Sequence, residues 1–551
     1  MKCEYCSHDN EPGVKFCGKC GAQIPDKPMN DDNKADIKST VSSVTNMVKA
    51  KPLSKLLKFA IPAVLVIIAI VIASSMFSGS GVSIAKDSIN FFYEEDMVIV
   101  SGNNNPKFTI DGVMHSSQKS LDGSKAVVLT DYNYENGGVL WFVTTSNQVK
   151  IAEDVVGYKL SDTGKGVAYY TDFDSENSIA SLYLYDTASK KTTRLSDEAT
   201  FLTYEPAIIA CISPDGKSVA FTSDYDISND EVITHIKVDN KPVEKFGENM
   251  VVLAISDGGK YIYYAKVSND GSSASLRVKS GKNDNRLISD LSSVRSNTTM
   301  ILNEDYSQVI FNRNDKAYIS QKGNEATKIS NSLIDSLMLP SGSQVAYNYN
   351  NFVFGVSSLE NNIASNSDGL LYINDKFETA RISGSPSYGY RSFVSNDGKR
   401  LVFVSSSDIL YVIDPTKPDA ERIELAEDVK TFISSNDGKT IYYINDVDEL
   451  WCVKGTGKPT KISDDVTGQF LTMSPNSNKL FFLVDHSYDN GGELYYTNNG
   501  SKREKISGGE EVGSIWSTPS NIFFVTVDYD LYRSSGNEKF ELFQEEANIG
   551  Y

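Results

Sequence analysis

One short pattern, a polar turn followed by a hydrophobic strand, returns through most of the chain. It reads SDTGKGVAYYTD from Ser161, SPDGKSVAFTSD from Ser213, SDGGKYIYYAK from Ser256, SNDGKRLVFVS from Ser395, SNDGKTIYYIND from Ser435 and SPNSNKLFFLVD from Ser474. Weaker copies begin at Leu121, Asn303, Leu339 and Ser517. A second strand with a Leu-aromatic start follows, as at Leu140-Trp141, Leu182-Tyr183, Leu450-Trp451 and Leu494-Tyr495. A third opens on a cation before an apolar residue, as at Lys150-Ile151, Arg194-Leu195, Lys461-Ile462 and Lys505-Ile506. The period averages about 43 residues, enough for four short strands, and such a unit must stack on its neighbours to bury an apolar face. The expectation is an all-β chain of about ten to eleven four-stranded β-propeller repeats over 82–551. Eleven copies of the motif strand run from Ile89 to Phe524. Rings usually hold about four to eight blades, so two fused propellers are expected ahead of one very large ring.

Local chemistry supports the turns. Asp-Gly supplies a residue at positive φ, and Pro214 presets the backbone just before it in Ser213-Pro214-Asp215-Gly216. At Ser213 to Phe221 the pattern resembles the TolB-type propeller repeat, also seen in dipeptidyl-peptidase-like proteins, with its SPDGKxIxF strand followed by Leu-Tyr. The resemblance implies a fold and no activity. Val82-Ser83-Ile84-Ala85 aligns with strands such as Val252-Leu253-Ala254-Ile255 and is expected to complete the last blade, removing an exposed edge.

Ahead of the repeats, the nineteen residues from Phe59 to Phe77 carry no charge. At about 1.5 Å per residue they are long enough for a transmembrane helix. Lys49, Lys51, Lys55 and Lys58 crowd its N-terminal flank, whereas the next cation is Lys86. The positive flank places the N-terminus in the cytoplasm and the repeats outside, as a single-pass membrane protein. Residues 1–80 hold ten lysines against seven carboxylates, and the remaining chain holds 43 basic against 65 acidic residues, a net of −22. A field of that sign disfavours nucleic acid and anionic polymers and favours cations, basic proteins or neutral ligands.

The head contains Cys3, Cys6, Cys17 and Cys20 as two CxxC pairs ten residues apart. Four thiolates in that spacing fit a structural zinc site, and a closed shell of four sulfurs leaves no position for substrate. The segment resembles the small zinc ribbons at the N-termini of membrane-anchored proteins of Gram-positive bacteria. The organisation expected is a zinc ribbon (1–24), a cytoplasmic linker (25–58), the membrane helix (59–77) and the extracellular repeats (82–551).

Catalysis has little support in the sequence. Dipeptidyl-peptidase relatives add an α/β-hydrolase domain signed by GxSxG, and this chain contains no GxSxG. His115, His235 and His486 are far apart and none stands at nucleophile spacing from a serine or aspartate in sequence. Cys211 and Cys452 lie in apolar runs and read as buried free thiols. The loops TDYNYENGG from Thr130 and VDHSYDNGG from Val484 are acidic and aromatic. They are read chiefly as hairpin turns, with calcium as the alternative. Tyr134, Glu135, Tyr488 and Asp489 are the candidate ligand-binding residues. The function expected is a non-enzymatic surface module that binds a ligand, a protein or a cell-wall fragment at the envelope. A propeller-based envelope hydrolase or lyase is the alternative.

Overall fold

The computed structural model describes residues 89–545 apart from 95–96, 102–107, 202–209, 227–230, 269–272, 292–299, 339–351, 357–358, 360, 367–368, 383–390, 475–477, 488, 507–510 and 518–520. The residues expected to form the zinc ribbon, linker and membrane helix, and Val82–Ala85, therefore lie outside the described residues. The chain divides into Met1–Gly79 and Ser80–Tyr551, and every described residue belongs to the second unit.

The described residues form a succession of small antiparallel sheets, the arrangement of β-propeller repeats. They are numbered here 1 to 11 in chain order: 90–111, 114–155, 157–200, 211–248, 250–291, 300–330, 336–381, 392–426, 429–463, 466–505 and 512–544. Ten of them contain four strands paired in a meander, and sheet 6 has a fifth at its edge. Sheets 3 and 4 are also linked by the pairing Ala199↔Ser223, and sheets 10 and 11 by Gly492↔Val512. The repeated motif proves to be the turn between the first and second strands, so one further strand precedes it in each sheet. Sheet 1 has three strands, Asn90–Glu94, Met97–Ser101 and Phe108–Asp111, which match the second to fourth strands of the others.

The two other sequence signatures turn out to be partners. Trp141 pairs with Lys150, Tyr183 with Arg194, Trp451 with Lys461 and Tyr495 with Lys505, each between the third and fourth strands. Stacking follows from that register: the Arg194 guanidinium lies 5.8 Å from the Tyr183 ring centre, and Arg422 lies 4.3 Å from that of Tyr411. Such cation–aromatic contacts contribute about 0.5–1 kcal/mol where exposed.

Every consecutive pair of sheets shares an apolar core. Sheets 1 and 2 meet through Val98, Val100, Ile110, Ala126, Val128 and Val143. Sheets 5 and 6 meet through Tyr263, Leu276, Met300, Val309 and Phe311, and sheets 10 and 11 through Phe481, Leu494, Ile515 and Phe524. Fully burying each such side chain is worth about 1.5–3 kcal/mol, so the interfaces hold the sheets together where the single hydrogen-bonded pairings cannot. Among the described residues the shared cores run from the first sheet to the last. Sheet 11 keeps a further buried cluster on its other face, built from Phe523, Val525, Leu531 and Phe543.

Curvature shows at the motif turns. The Tyr306 hydroxyl of sheet 6 donates to Asp162 of sheet 3 at 3.1 Å, although two sheets lie between them in sequence. The first edges of sheets 3 to 6 therefore converge on a common axis.

The weak copy at Leu339 departs from the expected pattern. Residues 339–351 are outside the description, and Phe352–Val356 pairs in parallel with Met300–Asn303, adding a fifth strand to sheet 6. The second strand of sheet 7 is Asn362–Asn366.

Candidate functional site: the hairpin rim of sheets 9 to 11

An up-and-down sheet has two ends. The motif turn and the turn between third and fourth strands share one end, called here the turn end. Hairpins between second and third strands share the other with the connectors to the next sheet, and this is the hairpin end.

At the turn end, polar side chains are consumed by the backbone. In sheet 8 the Ser395 hydroxyl donates to Asp397 at 2.6 Å, Asp397 accepts the Lys399 N–H at 3.0 Å, and Ser395 accepts the Arg400 N–H at 2.9 Å. Sheet 9 repeats the network with Ser435, Asp437, Lys439 and Thr440. The hydrogen bond from Ser395 holds the Asp397 carboxyl below its usual range. Gly216, Gly398 and Gly438 sit at φ of 75°, 67° and 69°, as the Asp-Gly turns require.

The hairpin end is different. Among the described residues, four of the seven exposed large hydrophobic side chains lie there: Val113, Tyr134, Val447 and Tyr529, each more than half exposed. On sheets 9 to 11 this end is continuous. The Val466 N–H donates to Asp448 O at 2.9 Å, the Asp485 N–H to Asp465 O at 3.0 Å, and the Val527 N–H to Glu511 O at 2.8 Å. Gly491 lies directly against the Glu511 backbone, closing the gap between the second and third of these contacts.

Charge on this rim is one-sided. Lys430 pairs with Asp448 at 3.0 Å, Lys505 with Glu493 at 2.8 Å, and Lys461 with both Glu449 and Asp464. Hydrogen bonds from Lys461 hold Glu449 below its usual range, and those from Lys505 do the same for Glu493. Asp446, Asp465, Asp485, Asp489, Glu511 and Asp528 are exposed, and no ion pair among the described residues reaches them. Asp448, Asp465, Asp485, Glu511 and Tyr529 all have φ between 53° and 68°. That conformation is uncommon for a glutamate or a tyrosine and turns these side chains out of the strand ladder.

The sequence candidates divide between two sheets. Tyr134 and Glu135 lie on the sheet 2 hairpin, where Asn133 accepts the N–H groups of Glu135 and Asn136 at 3.1 and 2.8 Å. Asp489 lies on the sheet 10 hairpin within the rim, and Tyr488 is outside the described residues. Among the described residues no hydrogen bond, ion pair or ring contact joins the sheet 2 hairpin to that of sheet 10. Val447 and Tyr529 went unnoticed in the sequence because neither hairpin contains Asn-Gly-Gly; their place between a second and a third strand was the available signal.

The acidic loops spend oxygens on their own turns. Asp131 accepts the Val113 N–H at 3.0 Å, and Asp174 accepts the Glu176 N–H at 2.9 Å and the Asn177 side chain at 2.7 Å. Among the described residues no group of three or more His, Cys, Asp or Glu side chains is placed to hold a metal. Burial pushes the thiols of Cys211 and Cys452 up to about 11, and both are free. Cys211 donates to Val252 O at 3.1 Å.

One juxtaposition was not visible in the sequence. The Ser223 hydroxyl lies 3.0 Å from His235 Nε2, because Phe221 and His235 are cross-strand partners in sheet 4 and Ser223 is two residues along on the same face. Ser223 is buried within the ladder, 7% exposed. The His486 ring lies tilted against Phe470 at 4.3 Å with its Nε2 3.0 Å from Gly513 O, and His115 stacks on Tyr132 at 4.3 Å.

No family model matches the sequence, and no curated protein matches it. Among solved structures it is similar to a eukaryotic initiation factor at 11% identity, covering 80% of this chain and 98% of that one, with a TM-score of 0.39. The propeller domain of the Trilobed protease from Pyrococcus furiosus is similar at 9% identity over 64% and 95%, with a TM-score of 0.28. TolB from Acinetobacter baumannii is similar at 14% identity over 44% and 60%, with a TM-score of 0.25. At such identities and scores, these likenesses carry no argument about activity or partners. The architecture stands on the sheets and their shared cores.

Proposed function

We propose that the chain is a single-pass membrane protein whose extracellular repeats bind a partner at the cell envelope, with a structural zinc ribbon in the cytoplasm. The observation that carries the binding reading is the rim of sheets 9 to 11, where exposed carboxylates without ion pairs flank Val447 and Tyr529. Apolar side chains set in an acidic border suit a protein or peptide that presents lysine or arginine beside an apolar anchor. The carboxylates steer its approach and the apolar contact slows its release. Replacing Asp465, Asp485 and Glu511 by lysine in the full chain should abolish capture of a basic envelope partner by cross-linking in cells. Undiminished capture would move the site elsewhere. For the rest of the organisation, the four thiolates of Cys3, Cys6, Cys17 and Cys20 suit zinc, so metal analysis should find it and Cys17→Ser should release it.

A second reading, an envelope hydrolase, is favoured by one contact, that of Ser223 with His235. A serine paired with a histidine is the start of a nucleophilic site. The buried hydroxyl and its place in a strand ladder weigh against it. Labelling of the wild type by a fluorophosphonate, lost in Ser223→Ala, would establish the hydrolase; no labelling would remove it.

A further inference from the structure

The net charge of −22 outside the membrane is unevenly spread, and the turn end of sheets 8 to 10 has the opposite sign from the rim. Lys399, Lys439, Lys454, Lys458 and Lys502 are all exposed there. They form one surface. The Arg400 guanidinium reaches Gly438 O and Gly455 O at 3.1 Å each, the Gly455 N–H donates to Lys439 O at 2.7 Å, and Thr440 bonds Asn499 beside the turn that bears Lys502. Gly500 of that turn packs against Cys452 and the stem of Lys454. Of the carboxylates at this end, Asp397 and Asp437 are tied to their own turns by Ser395 and Ser435, Glu504 accepts the Tyr496 hydroxyl, and Asp419 and Glu421 lie exposed on the sheet 8 turn. Asp414, beside the patch on sheet 8, is paired with Lys417 at 3.4 Å. Lys479, at the same end of sheet 10, pairs with Glu538 at 2.5 Å.

We infer that this cationic surface docks on an anionic bilayer, with its lysines among the phosphate headgroups. Lysines attract an anionic leaflet within a Debye length as point charges, without requiring a shaped pocket. The acidic rim includes the far end of sheets 9 and 10, so one docked orientation satisfies both: the lysines meet the headgroups while like charge keeps the rim away from the surface. The rim is then held toward soluble partners. This inference rests on the membrane-anchored reading of Phe59–Phe77, which supplies proximity, while the patch supplies orientation.

The test uses the full chain reconstituted in nanodiscs of phosphatidylcholine alone or with about one third phosphatidylglycerol, with lysine acetylation rates read by mass spectrometry. Lys399, Lys439, Lys454, Lys458 and Lys502 should react at least about fivefold more slowly in the anionic discs, and about 0.5 M salt should erase the difference. Lys266, exposed at the hairpin end of sheet 5, should react alike in both. The triple variant Lys439→Glu, Lys454→Glu, Lys458→Glu changes exposed turn positions, so an unchanged circular-dichroism melt is expected, and it should abolish protection of Lys399 and Lys502. Equal rates in the two disc types, or protection that extends to Lys266, would overturn the inference. Should the chain fail to enter discs, the anchor reading fails by itself. The chain is then added to preformed vesicles of the same two compositions, where selective sedimentation with the anionic ones upholds the docking surface and its absence overturns it.

Discussion

Four turns built on the same motif, in sheets 3, 5, 8 and 9, differ in where one carboxylate stands. In sheets 8 and 9 it is the third residue of the motif, Asp397 or Asp437, and it accepts hydrogen bonds from its own turn. In sheets 3 and 5 it is the second, Asp162 or Asp257, and it faces other sheets. Asp162 accepts the Tyr306 hydroxyl of sheet 6, and Asp257 accepts the Asp215 N–H of sheet 4 at 2.8 Å. Burial raises Asp162 above the usual carboxylate range despite the bond from Tyr306, and burial likewise raises Asp257. For Asp437, burial also pushes upward, but the bonds from Ser435 and Lys439 outweigh it and the carboxyl falls below its usual range. An offset of one residue thus converts a lock within one turn into a charge shared between sheets.

The change expected to hurt most breaks the turn common to both regions. Gly216 has φ of 75°, and a Cβ there would lie 2.3 Å from the Gly166 backbone nitrogen of sheet 3. Neither backbone can give way without moving a sheet, so Gly216→Val should cost about 3–5 kcal/mol, seen as loss of the cooperative melt or of soluble protein. Gly398 makes the control, because a Cβ there meets nothing within 4 Å at φ of 67°. Gly398→Ala should cost only about 1 kcal/mol, the penalty of the left-handed backbone by itself. Equal losses at the two positions would mean that the close approach of sheets 3 and 4 is unimportant.

Smaller effects separate the two carboxylate positions by pH. The lowered carboxyl of Asp437 contributes stability that is present above its unfolded value and lost as pH falls through its folded one. Asp437→Ala should therefore cost about 0.5–1.5 kcal/mol at neutral pH, from the lost turn bonds, and progressively less in acid. Asp162 has the opposite sign. Its raised carboxyl favours the folded state below the unfolded value, and that contribution disappears as pH rises through the folded one. Asp162→Asn keeps an acceptor for Tyr306 without the charge, so it should raise the melting temperature by about 1–3 °C at neutral pH and by less at pH 4. Parallel pH profiles for the two variants would dissolve the distinction.

How much of this was legible in the sequence depends on how local its cause is. The Asp-Gly turns were readable because positive φ and the Ser-Asp network are set within six residues. The Leu-aromatic and cation-apolar strands were readable as strands, and their direct pairing follows from a hairpin register. The parallel pairing of Phe352–Val356 with Met300–Asn303 was not readable, since no local pattern specifies a partner some fifty residues back. Of the candidate site, the hairpins bearing Tyr134, Glu135 and Asp489 were found through Asn-Gly-Gly. Val447 and Tyr529 needed the sheet order to show that their turns share an end. The Ser223–His235 contact likewise depends on register, twelve residues apart across a hairpin.

The smallest change in stability belongs to the rim, and it separates binding surface from scaffold most sharply. Val447 is 62% and Tyr529 58% exposed, so truncating them removes little buried area. Tyr529 also holds φ of 68°, where a tyrosine is less comfortable than an asparagine. Val447→Ser with Tyr529→Asn should leave the melt within about 0.5 kcal/mol of the wild type. Residues kept exposed at no gain to folding are the ones a partner can use, so capture of a basic envelope protein should fall while the melt stays fixed. A large loss of stability in this double variant would instead make both side chains part of the packing between sheets 9 and 11, and the acidic border would then surround a structural contact.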